Sequence, residues 1–472
     1  MAFLTHYKAE DGLSIVPNHI NGSPQPFDPA TASLFPVIKA VSETKIHHAV
    51  SATSSIAISA CDAAATALQS WRNTTPSHRR ALLHKAANVI ESKAQEIMQA
   101  QVDETSCPKE FAAINVKGSV AHMREIAAAT SELRGTVPQR GTGPDGEEVE
   151  ELTIVVREPV GVVLVIPPWN GAVVLPLRAV SQVLAAGCTV QAGVPSGVIN
   201  VIQVRREGAA DVTEAIIAHK AVRKIDFIGS AAVGKRIGQV CAKHLKPILM
   251  ELGGKGPAIV LEDADLQKAA FLCAMGAIIN HGQLCFSTER IIVHKANYEK
   301  FIQLLKMSFA KFPAAGNAVS KQSAQHAYDV LIDAQDNGAA YLVGGPEFIT
   351  PTSLRPTVVT KVSRNARLRD EETFGPSVSV YVAEDDDDAV AIANDSAYGL
   401  SAAVHSGSWE HAYKIERQLE YGQVHVNNMT TGDSPGAPIR GVKGSGWGQS
   451  NSIWGIHEFS VEKTLVSPPF RS

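Results

Sequence analysis

Cys285 stands in the stretch NHGQLCFSTER (280–290), directly after a Gly282-Gln283-Leu284 turn and just before the charged pair Glu289-Arg290. A thiol so placed is either inert core packing or a presented nucleophile, since a thiolate attacks electrophiles even where little of it is ionised. The other cysteines, Cys61, Cys107, Cys188, Cys241 and Cys273, are scattered without a Cys-x-x-Cys pair. In so long a chain that predicts reduced thiols of the cytosol, with Cys241 and Cys273 as core. The sixteen histidines form no His-Glu-x-x-His and sit beside no cysteine pair, so no metal site is expected. One Gly-x-Gly-x-x-Gly string exists, from Gly141 to Gly146. A dinucleotide fingerprint must follow a strand and open a helix. This string holds Pro144 and runs into acids, so it predicts a hairpin loop turning at Asp145-Gly146.

The elements that must position such groups follow from pattern. At 472 residues the chain exceeds one simple core, and two or three domains are expected. It is 45% hydrophobic and 19% charged, with a net charge of −4, so it lacks the basic excess of a nucleic-acid binder. Lys8, Glu10 and Asp11 interrupt the N-terminus before a signal peptide could form. The most apolar run, 159–177, holds four prolines and Asn170 and predicts strand, loop and helix rather than a membrane span. Residues 45–134 carry apolar residues at helical spacing. Beyond 151, apolar runs (161–166, 197–202, 224–230, 257–262) alternate with helical stretches, and a second such series follows Cys285. The expectation is an α/β protein with parallel sheets. Asp385–Asp388 precede an apolar helix and suit its N-terminus.

Five strings recur in an order that carries more information than any one of them: PPWN (167–170), FIGSAAVG (227–234), MELGGK (250–255), HGQLC (281–285) and EETFGP (371–376). Together, with Glu251 lying 34 residues before Cys285, they resemble the NAD(P)-dependent aldehyde dehydrogenase superfamily over nearly the whole chain. IINHGQLCFSTERIIV and IDFIGSAAVGKRIGQV are most similar to its salicylaldehyde and vanillin dehydrogenase type.

The resemblance implies roles. Cys285 matches the nucleophile that adds to an aldehyde and passes through a thiohemiacetal and a thioester. Asn170 and the backbone N–H of Cys285 match the oxyanion donors. Glu251 matches the general base, a task that suits a carboxylate whose proton affinity is raised by burial. Trp169, the stretch Gly229, Ser230, Ala231, Ala232, Val233 and Gly234, and the pair Glu372 and Phe374 match cofactor contacts, the cofactor being NAD or NADP. The implied architecture is a nucleotide-binding domain (1–135 and 158–252), a catalytic domain (253–455) and oligomerisation strands (136–157 and 456–472) of a cytoplasmic homodimer or homotetramer. The partner expected is a small aldehyde, with no nucleic acid and no membrane.

Two departures stand out. After LRAVSQVLAAGCTV the family continues through a strand, a lysine and an acid that contact the adenosine ribose, and a helix. Here CTVQAGVPSGVINVI jumps ahead by roughly twenty residues. Parallel strands need a crossover of about a dozen residues or more. The seven residues between Val190 and Val198 reach at most ~25 Å, little more than the ~17 Å return along a strand. The expectation is therefore a sheet lacking one crossover helix, with a bare apolar face and weakened adenosine binding. That leaves a cofactor-independent esterase, an inactive paralogue or a non-catalytic scaffold as alternatives to a dehydrogenase. The second departure is PIRGVKGSGWG, where Pro-Phe-Gly-Gly is usual, with Ile439 and Arg440 expected near the substrate entrance.

Overall fold

The structure is a computed structural model of the chain and describes residues 7–139, 141, 145–146, 152–189 and 196–467. The helical stretch resolves into α1 (Ser54–Trp71), α2 (Pro76–Ser92), α3 (Ala94–Thr105) and α4 (Lys109–Ala129). Thr53 and Thr75 cap the first two by accepting the N–H groups of Ile56 and His78, and Pro76 occupies the first turn, where a missing N–H costs nothing. The stretch begins later than expected. Thr44–Val50 is extended because it pairs on both edges, with Leu34–Lys39 and Ile15–Val16.

Next come β1 (Leu152–Pro159), β2 (Val162–Ile166), α5 (Val174–Ala185), α6 (Ala209–Ala218), β3 (Val222–Ile228), α7 (Ala231–Lys243) and β4 (Ile248–Glu251). Strands β2, β3 and β4 are parallel neighbours in one sheet. Alternation along each strand gives its two faces separate duties. Val162, Leu164, Ile225, Phe227 and Met250 pack under α1, α6 and α7. Val163 and Leu249 point the other way, toward α5.

The second series supplies β5 (Gly256–Val260), α8 (Leu266–Ile278), β6 (Thr288–His294), α9 (Tyr298–Phe309), α10 (Lys321–Asp336), β7 (Ala340–Val343), β8 (Thr357–Thr360), β9 (Ser377–Ala383), α11 (Asp386–Asn394), β10 (Ser401–His405), α12 (Trp409–Glu416) and β11 (Gln423–Val426). Its sheet runs in the order β7-β8-β9-β6-β5-β10-β11, parallel except at the β7 edge. Strand β5 is buried along its whole length, as a parallel strand covered on both faces should be. Asp385 caps α11 and Asp386–Asp388 fill its first turn, as the sequence suggests.

The chain then returns to the first unit. A short strand β12 (Gly446–Trp447) adds antiparallel to β4, and α13 (Ser452–Glu458) packs on α4 and α5. Residues 456–458 thus end a helix, and the extended run of the expected 456–472 segment begins after them. Strand β13 (Ser460–Ser467) runs antiparallel to β1 over its eight residues. Thr136 also bridges Val155, closing the loop that contains Gly141 and the Asp145-Gly146 turn, while the rest of that string lies outside the described residues.

The crossover expected to be missing falls on residues 190–195, outside the described residues. What flanks it differs from the expectation. Thr189 still bridges β2 at Val162, taking that sheet edge. The run 197–202 therefore forms no strand of the sheet. Val201 instead exchanges hydrogen bonds with His19, and Val198 and Ile199 sink into the core. The apolar face is not bare either: α1 and α6 cover Val162 and Leu164.

Candidate active site

A cavity of about 420 Å³ opens where β2, β3 and β4 end, the place where open parallel sheets bind ligands. Each strand delivers side chains to it from its C-terminal end or the residues that follow. After β2 come Pro168, Trp169 and Asn170. Gly229 and Ser230 follow β3, and Glu251, Leu252 and Gly253 end β4. Cys285, Glu372, Phe374 and the α10 face Gln322, Ser323 and His326 close it from the second unit.

Cys285 is half-buried in a turn between α8 and β6. The backbone before it is forced into the left-handed region at Asn280 (φ 53°), His281 (φ 62°) and Gly282 (φ 72°), which two of these residues adopt only when held. They are held. Leu354 N–H donates to His281 Nε2, and Gln283 binds the carbonyls of Asn280 and Asn317 while accepting from Val319 N–H. Burial keeps His281 neutral, its pKa lowered to about 4. At Gly282 and Gly254 the backbone runs against Gly375 and Cys285 carbonyls, leaving no room for a Cβ. The Cys285 thiol is pushed well up, first by burial and then by the Glu251 and Glu372 carboxylates, against the pull of Arg178. Its backbone N–H has no hydrogen-bond partner among the described residues. Asn170, 7% exposed, donates from Nδ2 to Gln283 O at 2.9 Å and so ties the strand-β2 loop to the thiol's own turn.

Glu251 is 3% exposed. Its Oε2 accepts from Arg178 Nη2 at 2.5 Å, and its Oε1 has no partner among the described residues. The sequence pointed only to a buried setting for this group, and the structure adds a buried ion pair. Arg178 also reaches Asp433 at 3.2 Å, and Asp433 contacts His122 at 3.3 Å. Burial works against the charge on Asp433, but His122 and Arg178 hold its carboxyl well below the usual range. A charged residue inside the apolar helix α5 needs a buried partner, and that was the signal for Arg178; Asp433 gave none.

The opposite wall is built differently. Glu372 accepts Gly254 N–H at 2.9 Å and crowds Gly253, which leaves no room for a Cβ there. Burial, with help from Glu289, pushes the Glu372 pKa up to about 8. Phe374 adopts φ 50° and meets Trp169 edge-on at 5.9 Å between ring centroids. Glu289, of the charged pair that follows Cys285, accepts the N–H groups of Thr373 and Phe374 and pairs with buried Lys255 at 2.5 Å. Arg290 binds backbone carbonyls of α11.

The cavity thus brings together Cys285, Glu251, Asn170, Trp169, Gly229, Ser230, Glu372 and Phe374. Ala231, Ala232, Val233 and Gly234 form the first turn of α7 behind Ser230 and do not line it. Ser230 caps that turn at Val233 N–H. Ile439 and Arg440 do not line it either; Ile439 is buried and bridges Ser450. Cys241 and Cys273 are buried core, as expected, and burial raises both thiols, Cys241 to about 11. Among the described residues no His, Cys, Asp and Glu cluster could hold a metal, and no helix is long and apolar enough to cross a membrane.

A two-sheet α/β fold with a thiol and a carboxylate converging at the strand ends defines a class, and the comparisons agree with it. Residues 27–191 and 190–465 match the model of the aldehyde dehydrogenase family, in two segments that meet at the sequence jump. The chain belongs to the aldehyde dehydrogenase family. Salicylaldehyde dehydrogenase of Pseudomonas putida is 34% identical to it over 475 aligned residues, covering 94% of this chain and 96% of that one. Vanillin dehydrogenase of Pseudomonas fluorescens is 34% identical, covering 88% and 90%. The solved salicylaldehyde dehydrogenase from Pseudomonas putida G7, complexed with salicylaldehyde, superposes with a TM-score of 0.91 at 32% identity, over 97% of this chain and 99% of that one.

Proposed function

We propose that the protein oxidises an aromatic aldehyde to its carboxylate, with Cys285 as nucleophile, Asn170 and the Cys285 N–H as oxyanion donors and Glu251 as general base. The observation that carries this reading is the convergence of these three side chains on one cavity, with Glu251 Oε1 buried and free to accept a proton. Support for an aromatic substrate comes from the salicylaldehyde and vanillin relatives and from the apolar wall of Trp169, Leu175, Ile228 and Phe374.

The cofactor is NAD or NADP, the class used across the family. The residues present fit its nicotinamide and phosphate portions. The N-terminal end of α7, opened by Gly229 and Ser230, suits the pyrophosphate; Glu372 and Phe374 suit the ribose and ring. A bound NAD(P)⁺ would supply the hydride acceptor.

The chain's own residues do the rest. Cys285 gives up its proton to Glu251 Oε1, directly or through water, because its raised pKa keeps it a thiol until a base takes the proton. Sγ then adds to the carbonyl carbon. The oxygen that becomes negative is met by the second amide hydrogen of Asn170 and by the Cys285 N–H. One such donor is commonly worth ~3 kcal/mol of barrier. Once the acyl group is a thioester on Cys285 and Glu251 has released the thiol's proton to solvent, Glu251 takes a proton from water, and the resulting hydroxide attacks the acyl carbon and returns the thiolate.

Nothing in the site favours a cofactor-independent esterase or an inactive paralogue. The β1–β13 ribbon, with exposed Val461, Leu465 and Val466, supports the homo-oligomer, and six free cysteines suit a cytoplasmic location. The test is formation of reduced nicotinamide from salicylaldehyde, vanillin and benzaldehyde by the native chain and by Cys285→Ala. Turnover by the native chain alone is expected. Absence of aldehyde-dependent reduction at any pH, together with no thiol labelling at Cys285, would overturn the reading.

A further inference from the structure

Behind the cavity, on the α5 face of the first sheet, lies a row of buried polar groups that the chemistry above leaves unused. Alternation puts Lys224 and Asp226 of β3 on that face together with Leu249 and Glu251 of β4, because Asp226 pairs in register with Leu249. Asp226 and Glu251 are then diagonal neighbours, about 8 Å apart by strand geometry. Asp226 is 1% exposed. Its Oδ1 has no partner among the described residues, and the same holds for Glu251 Oε1, Arg178 Nε and both amide atoms of Gln182. Gln182 sits one turn beyond Arg178 on α5 and packs against Gly455 of α13, where a Cβ would strike it. Groups this deeply buried are satisfied in native proteins by protein or by ordered water. Five unpartnered donors and acceptors under one sheet face supply the polar partners that ordered water requires.

We infer that Asp226 is the inner proton acceptor of Glu251: ordered water joins Glu251 Oε1 to Asp226 Oδ1 beside Gln182, and the proton that Glu251 gains during thioester hydrolysis passes along it. The transfer balances. The proton leaves Glu251, which becomes a carboxylate again, and ends on Asp226, which becomes a neutral acid. When product departs and solvent enters the cleft, the proton returns by the same path. Glu251 thereby regains its basic form while the cleft is still occupied. Four charged groups face Asp226: Lys224 on its own strand, Glu251 on β4, Arg178 on α5 and Glu458 on α13. Asp433 and His122 act on it through Arg178. Lys224 is engaged with Glu458, at 2.7 Å, and does not neutralise Asp226 directly. Burial, partly offset by Arg178, raises the Asp226 pKa to about 7, which suits a group that gains and loses a proton near neutrality.

The inference rests on the base role proposed for Glu251, so the two are tested side by side. Saturating turnover of an aromatic aldehyde with NAD⁺ or NADP⁺ is followed against pH for the native chain, Asp226→Asn, Asp226→Glu and Glu251→Gln. Asp226→Asn keeps size and polarity but accepts no proton. It should lower kcat about tenfold with the aldehyde KM unchanged, and remove one ionisation near neutrality from the kcat profile. Asp226→Glu should restore that ionisation. Difference infrared spectra of the native protein during turnover should show the neutral-acid band of a buried carboxyl. A kcat profile of Asp226→Asn that superposes on the native one, or no such band in the native protein, overturns the inference. If Glu251→Gln itself turns over normally, the base role fails whatever Asp226 does.

Discussion

The two walls of the cleft hold similar carboxylates by opposite means. On one side Glu251 ends a regular strand and meets a guanidinium, so its position comes from the β-sheet register and its ion pair from Arg178. On the other side Glu372 and Phe374 sit on an irregular loop, Phe374 at a left-handed φ, and their position comes from Glu289, which holds the Thr373 and Phe374 N–H groups. With no cation in contact, Glu372 has its pKa pushed up to about 8. A strand end gives a rigidly held carboxylate. The tethered loop gives a wall that depends on one buried ion pair, and the contrast can be broken from either side.

The largest effect is expected where both walls converge. Cys285→Ala should abolish aldehyde oxidation by at least ~10³-fold with the fold intact, read by steady-state rates and circular dichroism. Glu251→Gln should lower kcat by about 10² to 10³-fold and trap the acyl-enzyme, seen as added mass on Cys285. A variant at native speed would remove the strand-end wall from the chemistry. Asn170→Ala should cost about 10²-fold in kcat, and would also slacken the tie to Gln283.

Smaller effects separate the walls. Glu289→Gln leaves Lys255 buried without its counter-charge and should destabilise by about 3 kcal/mol, read as a lower denaturant midpoint, with a raised cofactor KM. An unchanged KM would show that the Glu372 wall does not need its tether. The least effect is in pH dependence. A carboxyl raised in the folded state stabilises most below its unfolded pKa, and that stability is lost as pH rises to the folded value. Native stability should therefore fall between about pH 4.5 and 8 through Glu372, and Glu372→Gln should gain thermal stability relative to native over that window. A constant difference in melting temperature across the window would argue against the raised value.

Much of this could be read before folding. Cys285, Glu251 and Asn170 are legible because each sits in a string whose glycines and prolines have local reasons. Gly254 yields to the Cys285 carbonyl and Gly253 to Glu372, so the spacing of MELGGK records a contact. Ala231–Gly234 were legible only as a motif; the helix turn itself places them behind Ser230. Arg178, Asp433 and Asp226 were not legible as partners, because nothing in a one-dimensional pattern says that α5, the segment at 433 and β3 share one buried face. The run 197–202 misled for a related reason. Its β-like composition is real, but a sheet edge already taken by Thr189 sent it to pair with His19.

What the sequence determined alone was the alternation of strands and helices, the identity of the thiol and carboxylate, and the glycines that let them approach. These are properties of side-chain type and local backbone freedom. What only the tertiary structure decided was charge: which carboxylate meets a guanidinium, which is left to burial, and which oxygen stays free. That depends on solvent exclusion and on distances between residues far apart in the chain, and neither exists until the sheets and helices close around them.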